Sequence, residues 1–345
     1  MSSPGRTDAE AADPRDILYI NVSRIGDTLL ATPAVRAVAA RWPGARIHLL
    51  AHPKREEVVR HLPFVHRTGT ITKQRARFMG RFPGRRYDLA FVCNFDAELV
   101  EYALRVADRV VAFRQPDSAL ADRLFRVVDH PAPQTMHAVD IQLLLPAAVG
   151  VAAVGRAIGY RVADDEDKWA LGFLAGTAGT ECRPLIGLQV ASFPTKAYRD
   201  WPLKNFGALC ARIVERWPQA HFLIFGGELE RDRTAALAAE LGSRATLCAG
   251  KLSLRQTAAL MAHVDLYVGV DTGPTHLMGA LHRPMVALYH GYSPSRVLAP
   301  LDHPSAYSID HPLADQCTEE ADMADITIDR VWTAVQQALA DHPPR

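Results

Sequence analysis

The strongest constraint on the fold is an alternation that runs twice along the chain. In the first half, β-rich runs fall at 17–22 (ILYINV), 46–51 (RIHLLA), 87–94 (YDLAFVCN) and 109–113 (RVVAF), with helical periodicity near 28–41, 54–61 and 96–106. In the second half, runs fall at 185–191, 221–227, 245–250, 265–271 and 285–290, with helical patterns near 203–217, 229–241, 254–263 and 274–282. Strands that alternate with helices form parallel sheets covered on both faces. The pattern predicts an α/β chain of two Rossmann-like, doubly wound domains. The 345 residues are enough for two cores.

The expected organisation follows. Residues 1–15 read as a disordered tail, 16–165 as the first domain and 166–184 as a linker. Residues 185–327 read as the second domain, and 328–345 as a C-terminal helix and tail. The charge run ADDED (163–167) straddles the start of the linker, and the Gly/Thr-rich GTAGT (176–180) lies within it. The start lacks the apolar core of a signal peptide, and no run of about 18 apolar residues occurs. The five cysteines are scattered, with no C-x-x-C pair, so neither a zinc site nor a disulfide framework is indicated. A net charge of +1 selects no partner. These features point to the cytoplasm, with any membrane contact peripheral and at its inner face.

In open α/β sheets ligands bind beyond the carboxyl ends of the strands. Two loops there carry chemistry. After the first strand comes Ser23-Arg24-Ile25-Gly26-Asp27. After the 265–271 strand comes Asp271-Thr272-Gly273-Pro274, with His276 in the first turn of the next helix. A helix N-terminus suits a phosphate, and Pro274 fits a first helical turn because its missing N–H is not needed there. Read alone, each loop is better explained as an ordinary strand–turn–helix with Asp27, Asp271 or Thr272 as cap.

Taken together, SRIGDTLLATPAVRAV and VGVDTGPTHLMGAL resemble the two signature blocks of family 9 glycosyltransferases, the lipopolysaccharide heptosyltransferases. PTKAYRDWPLKNFGAL, IFGGELERDR and AGKLSLRQTAALMAHVDLYVGVD resemble blocks between them, so the likeness spans about 16–340. It implies a GT-B fold, with the acceptor on the first domain and the nucleotide sugar on the second. It also implies an inverting, metal-independent transfer of a sugar, first among them heptose from ADP-heptose, onto a lipid-linked acceptor of the lipopolysaccharide core. Asp27 takes the position of the catalytic base. Arg24 and Gly26 fall on the acceptor side, Gly26 to permit close approach. Lys196, Arg199, Glu230, Asp271, Thr272, Gly273, Pro274 and His276 fall on the donor side, Arg199 as a bidentate phosphate ligand and Glu230 toward the ribose. Arg199 stands where relatives carry lysine, and an extra residue precedes the turn in GYSPSRVLAP.

No cofactor beyond the nucleotide-sugar substrate is implied, nor an obligate protein partner or nucleic acid. Asp165-Glu166-Asp167 resembles a metal-binding Asp-x-Asp pair only loosely and reads better as an acidic helix start. The segment 66–86 holds seven Lys/Arg, no acidic residue, and Phe78, Met79 and Phe82. It suits an anionic membrane surface or a phosphorylated glycolipid, or is a plain basic loop. A nucleotide-sugar epimerase of similar fold and a non-catalytic nucleotide-sugar binder remain as alternatives.

Overall fold

The computed structural model describes residues 12–81, 84, 86–177, 182–314 and 316–344. Two six-stranded parallel sheets form. The first contains β1 (Asp16–Asn21), β2 (Arg46–Ala51), β3 (Arg67–Thr70), β4 (Leu89–Val92), β5 (Val110–Phe113) and β6 (Arg126–Val128), in the order 3-2-1-4-5-6. The second contains β7 (Leu185–Gln189), β8 (His221–Phe225), β9 (Ala245–Leu247), β10 (Leu266–Val270), β11 (Met285–Tyr289) and β12 (Ala306–Asp310). It runs 12-11-10-7-8-9, the same winding repeated. Strand order reverses between β1 and β4 and between β7 and β10, paired at Ile20–Val92 and Gln189–Gly269. A crevice opens outside the carboxyl ends at such a reversal. The Ser23–Asp27 loop and the Asp271–Gly273 turn leave from these two points.

All the anticipated strands form. The three not anticipated, β3, β6 and β12, are edge strands. An edge strand is only half covered, so its sequence lacks the continuous apolar run of a central strand.

The helices differ more. The single helix expected over 28–41 is two, Ile25–Leu30 and Thr32–Arg41, broken at Ala31, with Pro33 in the first turn of the second. The pattern at 54–61 yields only a 3-10 turn, Glu56–Val58. The expected linker 166–184 is largely occupied by the helix Asp164–Thr177, while residues 178–181 lie outside the described residues. Its acidic first turn complements the helix dipole. Of the expected tail 1–15, residues 1–11 lie outside the described residues. The C-terminal helix Ile328–Asp341 buries Val331, Val335, Ala338 and Leu339 on the second sheet and the helix Leu203–Arg216. Each large aliphatic residue so buried is worth roughly 1.5–3 kcal/mol.

One buried apolar cluster runs from Tyr19 and Phe91 in the first sheet through Leu29, Leu277 and Met278 to Tyr267 and Met285 in the second. The two lobes therefore share a core beneath the crevice. Arg255, on the helix Leu254–Met261, adds a polar joint. Its Nε donates to Glu166 Oε1 at 2.6 Å, and Nη2 bonds the other carboxylate oxygen and the Arg161 carbonyl. Nη1 donates to the Glu57 carbonyl of the first lobe at 3.1 Å. Tyr160 lies under the guanidinium. Among the described residues no helix is long and apolar enough to cross a membrane.

Candidate functional site

The first loop is anchored by Asn94, just beyond β4. Its Oδ1 accepts from Val22 N at 2.8 Å and its Nδ2 donates to Val22 O at 3.1 Å. This pairing ends β1 and turns the chain into the helix Ile25–Leu30. The N-cap of that helix is Arg24, whose carbonyl accepts from Thr28 N and Thr28 Oγ1 at 2.9 and 2.8 Å. Asp27 is therefore inside the first turn, not the cap. Its side chain is exposed, while Gly26, Thr28 and Leu29 beside it are buried. An exposed carboxylate on a backbone so firmly held is available to a ligand.

The second turn is built around a buried carboxylate. Asp271 is 2% exposed. Its Oδ2 accepts from Arg199 Nη1 at 2.7 Å, and His276 Nε2 lies 3.4 Å from Oδ1. Thr275 Oγ1 donates to the Val270 carbonyl at 2.5 Å and is 2.8 Å from Tyr267 OH. The helix Gly273–Ala280 starts at Thr272 with Pro274 in its first turn, and no side chain caps it. Its N-terminal N–H groups and dipole are thus left for an anion.

The two loops meet. The helices Ile25–Leu30 and Gly273–Ala280 pack directly on each other. A Cβ on Gly26 would lie 2.6 Å from His276 Cδ2, and one on Gly273 would lie 3.1 Å from Ile25 Cβ. A side chain at position 26 would collide with the His276 ring. The small size of Gly273 likewise admits Ile25.

On the donor side, the 192–201 loop is shaped by Asp200, whose Oδ1 accepts from Ser192 N and Oγ at 2.6 and 2.7 Å. Burial pushes the Asp200 carboxyl up. Arg199 is already engaged: besides Asp271, Nη2 donates to Ser293 Oγ at 3.1 Å and Nε to Tyr198 OH at 3.3 Å. A bidentate phosphate grip is not how its guanidinium is used here. Lys196 is the more open cation, with Nζ 3.5 Å from Tyr198 OH and 3.7 Å from Glu319 Oε1. Glu230 is buried, and its Oε2 accepts from Gly227 N at 2.7 Å. Its Oε1 is buried without a partner, and burial raises its pKa.

Asn94, Tyr198 and Ser293 join the site without having been expected there, although Tyr198 lies within the PTKAYRDWPLKNFGAL block. Ser293 lies in the irregular GYSPSRVLAP turn and completes the Arg199 anchor. In the basic segment, Lys73 pairs with Asp96, Arg77 with Glu98 at 2.7 Å, and Arg86 with Asp108 at 2.6 Å. Phe78 stays exposed, and Phe82 and Arg85 lie outside the described residues. Glu166 and Asp167 of the acidic run are taken up by Arg255 and His263.

Two doubly wound lobes on a shared core, with their reversal points facing across a crevice, define the GT-B architecture of nucleotide-sugar enzymes. The chain belongs to glycosyltransferase family 9 (heptosyltransferase), whose family model matches residues 107–325, and it is a glycosyltransferase. It is 27% identical over 339 residues to lipopolysaccharide heptosyltransferase 1 of Pseudomonas aeruginosa, covering 88% of this chain and 89% of that one. It is 25% identical over 308 residues to lipopolysaccharide heptosyltransferase 2 of Escherichia coli K12, covering 83% and 86%. The solved structure of the Escherichia coli ADP-heptose lps heptosyltransferase II superposes with a TM-score of 0.77 at 20% identity, over 94% of this chain and 99% of that one.

Proposed function

We propose that this chain is an inverting, metal-independent heptosyltransferase. It transfers heptose from ADP-heptose onto a lipid-linked acceptor of the lipopolysaccharide core. The observation that carries the reading is the contact between the two loops. With Ile25 against Gly273 and Gly26 against His276, the short helix that carries the exposed Asp27 packs on the uncapped helix of the donor turn. The named activities of the relatives supply the sugar and the acceptor class.

An acceptor hydroxyl attacks the anomeric carbon from the face opposite the diphosphate, and Asp27 takes its proton as the new bond forms. The departing diphosphate gathers negative charge. The N–H groups around Thr272 and Gly273, with Lys196 nearby, stabilise that charge without rearrangement. Arg199 holds Asp271, and Asp271 with His276 holds the start of the donor helix. The unpartnered Glu230 Oε1 is suited to a ribose hydroxyl. The basic 66–86 segment, with Phe78 exposed, is suited to the anionic acceptor at the inner membrane face.

The test has two stages. The melting temperature is measured with a panel of nucleotide sugars, since a ligand that binds only the native state stabilises it. Purified protein is then given ADP-heptose and a de-O-acylated lipopolysaccharide core lacking heptose at the target position. The product is weighed and its new linkage assigned by NMR. An epimerised nucleotide sugar without transfer, or binding without turnover, rejects the reading.

A further inference from the structure

Phe95 follows Asn94, the residue that pins the Asp27 loop. Its ring is 48% exposed. It stacks on the buried Phe113 at the end of β5, with centroids 5.6 Å apart and planes at 25°. His130, just beyond β6, stands edge-on to both rings at 5.3 and 5.1 Å. His130 Nδ1 lies 2.8 Å from the Pro131 carbonyl. A carbonyl only accepts, so Nδ1 is the donor, and in the neutral ring Nε2 is the acceptor. The Arg114–Asp129 pair, 2.6 Å apart, flanks His130. The patch is an apolar face held rigid from behind and rimmed by donors and acceptors. It lies on the carboxyl edge of the first sheet, the edge that carries Asp27.

Small-molecule sites are lined mainly by apolar and aromatic side chains with a few placed polar groups. We propose that Phe95 is the platform on which a pyranose ring of the acceptor stacks, with the neutral His130 Nε2 accepting from one hydroxyl and Arg114 donating to the oxygen of another. The inference rests on the glycosyl-transfer reading above and adds the acceptor's position within the first lobe. The C–H face of a pyranose is apolar and flat, and it matches a ring whose orientation Phe113 and His130 already set. Fixing that sugar beside Asn94 would bring a neighbouring hydroxyl toward Asp27.

The test is steady-state transfer by Phe95→Ala and Phe95→Trp, with ADP-heptose and the de-O-acylated core acceptor varied in turn. Phe95→Ala is expected to raise the acceptor KM roughly three- to tenfold, leaving the donor KM unchanged. Phe95→Trp is expected to keep the parent acceptor KM, and its added tryptophan emission to change when the acceptor saccharide alone is supplied. An unchanged acceptor KM in Phe95→Ala, or emission indifferent to the saccharide, overturns the proposal. The emission measurement needs no turnover. A parent enzyme that transfers nothing therefore counts against the glycosyl-transfer reading, and the emission still decides whether the platform exists.

Discussion

Arg199 and Asp271, 72 positions apart, form a charge pair at 2.7 Å in which the carboxylate is almost wholly removed from water. The pair joins the 192–201 loop to the turn that begins the donor helix. Arg199→Ala would leave a buried carboxylate without its guanidinium partner, with His276 at 3.4 Å. Breaking such a pair costs several kcal/mol, reduced here because Arg199 is partly exposed, so a loss of about 2–3 kcal/mol is expected in urea unfolding. Arg199→Lys keeps the charge but cannot span Asp271, Ser293 and Tyr198 at once. It should lose less stability than Arg199→Ala.

Asp27→Asn separates chemistry from folding. The side chain is exposed and is not the helix cap, so the melting temperature should stay within a degree or so of the parent. Loss of a general base lowers kcat by roughly 10²–10⁴-fold. Nucleotide affinity, measured by calorimetry with ADP, should be unchanged. Near-parent turnover would remove Asp27 from the reaction.

Gly26→Ala tests the contact between the lobes. The new methyl falls 2.6 Å from the His276 ring, and overpacking of this kind costs about 1–3 kcal/mol. His276→Ala opens the space. In the double variant the two effects should be non-additive, with a coupling of at least about 0.5 kcal/mol read from unfolding midpoints. Strict additivity would mean that the helices do not touch as described.

Arg255→Ala tests the polar joint. It removes bonds to Glu166, Glu57 O and Arg161 O together, leaving the carboxylate of Glu166 without its guanidinium. A loss of about 3 kcal/mol is expected in denaturant unfolding. Arg255→Lys should recover only part of it, since one ammonium cannot reach all three acceptors.

His303 supplies a pH dependence away from the site. Burial, with His282 stacked 5.4 Å away, pushes its pKa down to about 4. The neutral ring is therefore favoured in the native state, while the unfolded chain titrates near 6.5. Its contribution is complete above about pH 6.5 and is lost as pH falls toward 4. The loss should be of order 1–2 kcal/mol, because the ring is not fully sealed from solvent. Thermal unfolding across pH 4–7 should show a shallower slope for His303→Gln than for the parent.

The sequence by itself determined the two parallel sheets, their central strands and the two loops at the strand ends. Burial on both faces writes a continuous apolar run into each central strand, and strand-end chemistry is local. Half-covered edge strands such as β3 and β12 write no such run, and the eight-residue helical pattern at 54–61 closes only as the 3-10 turn Glu56–Val58. Tertiary structure alone decided what each loop residue touches. Gly26 meets a histidine 250 positions away, Arg199 answers Asp271, and Phe95 is backed by Phe113 and His130. Those contacts depend on how separate strands and helices are brought side by side when the sheets wind and the lobes share a core, and no local periodicity carries that information.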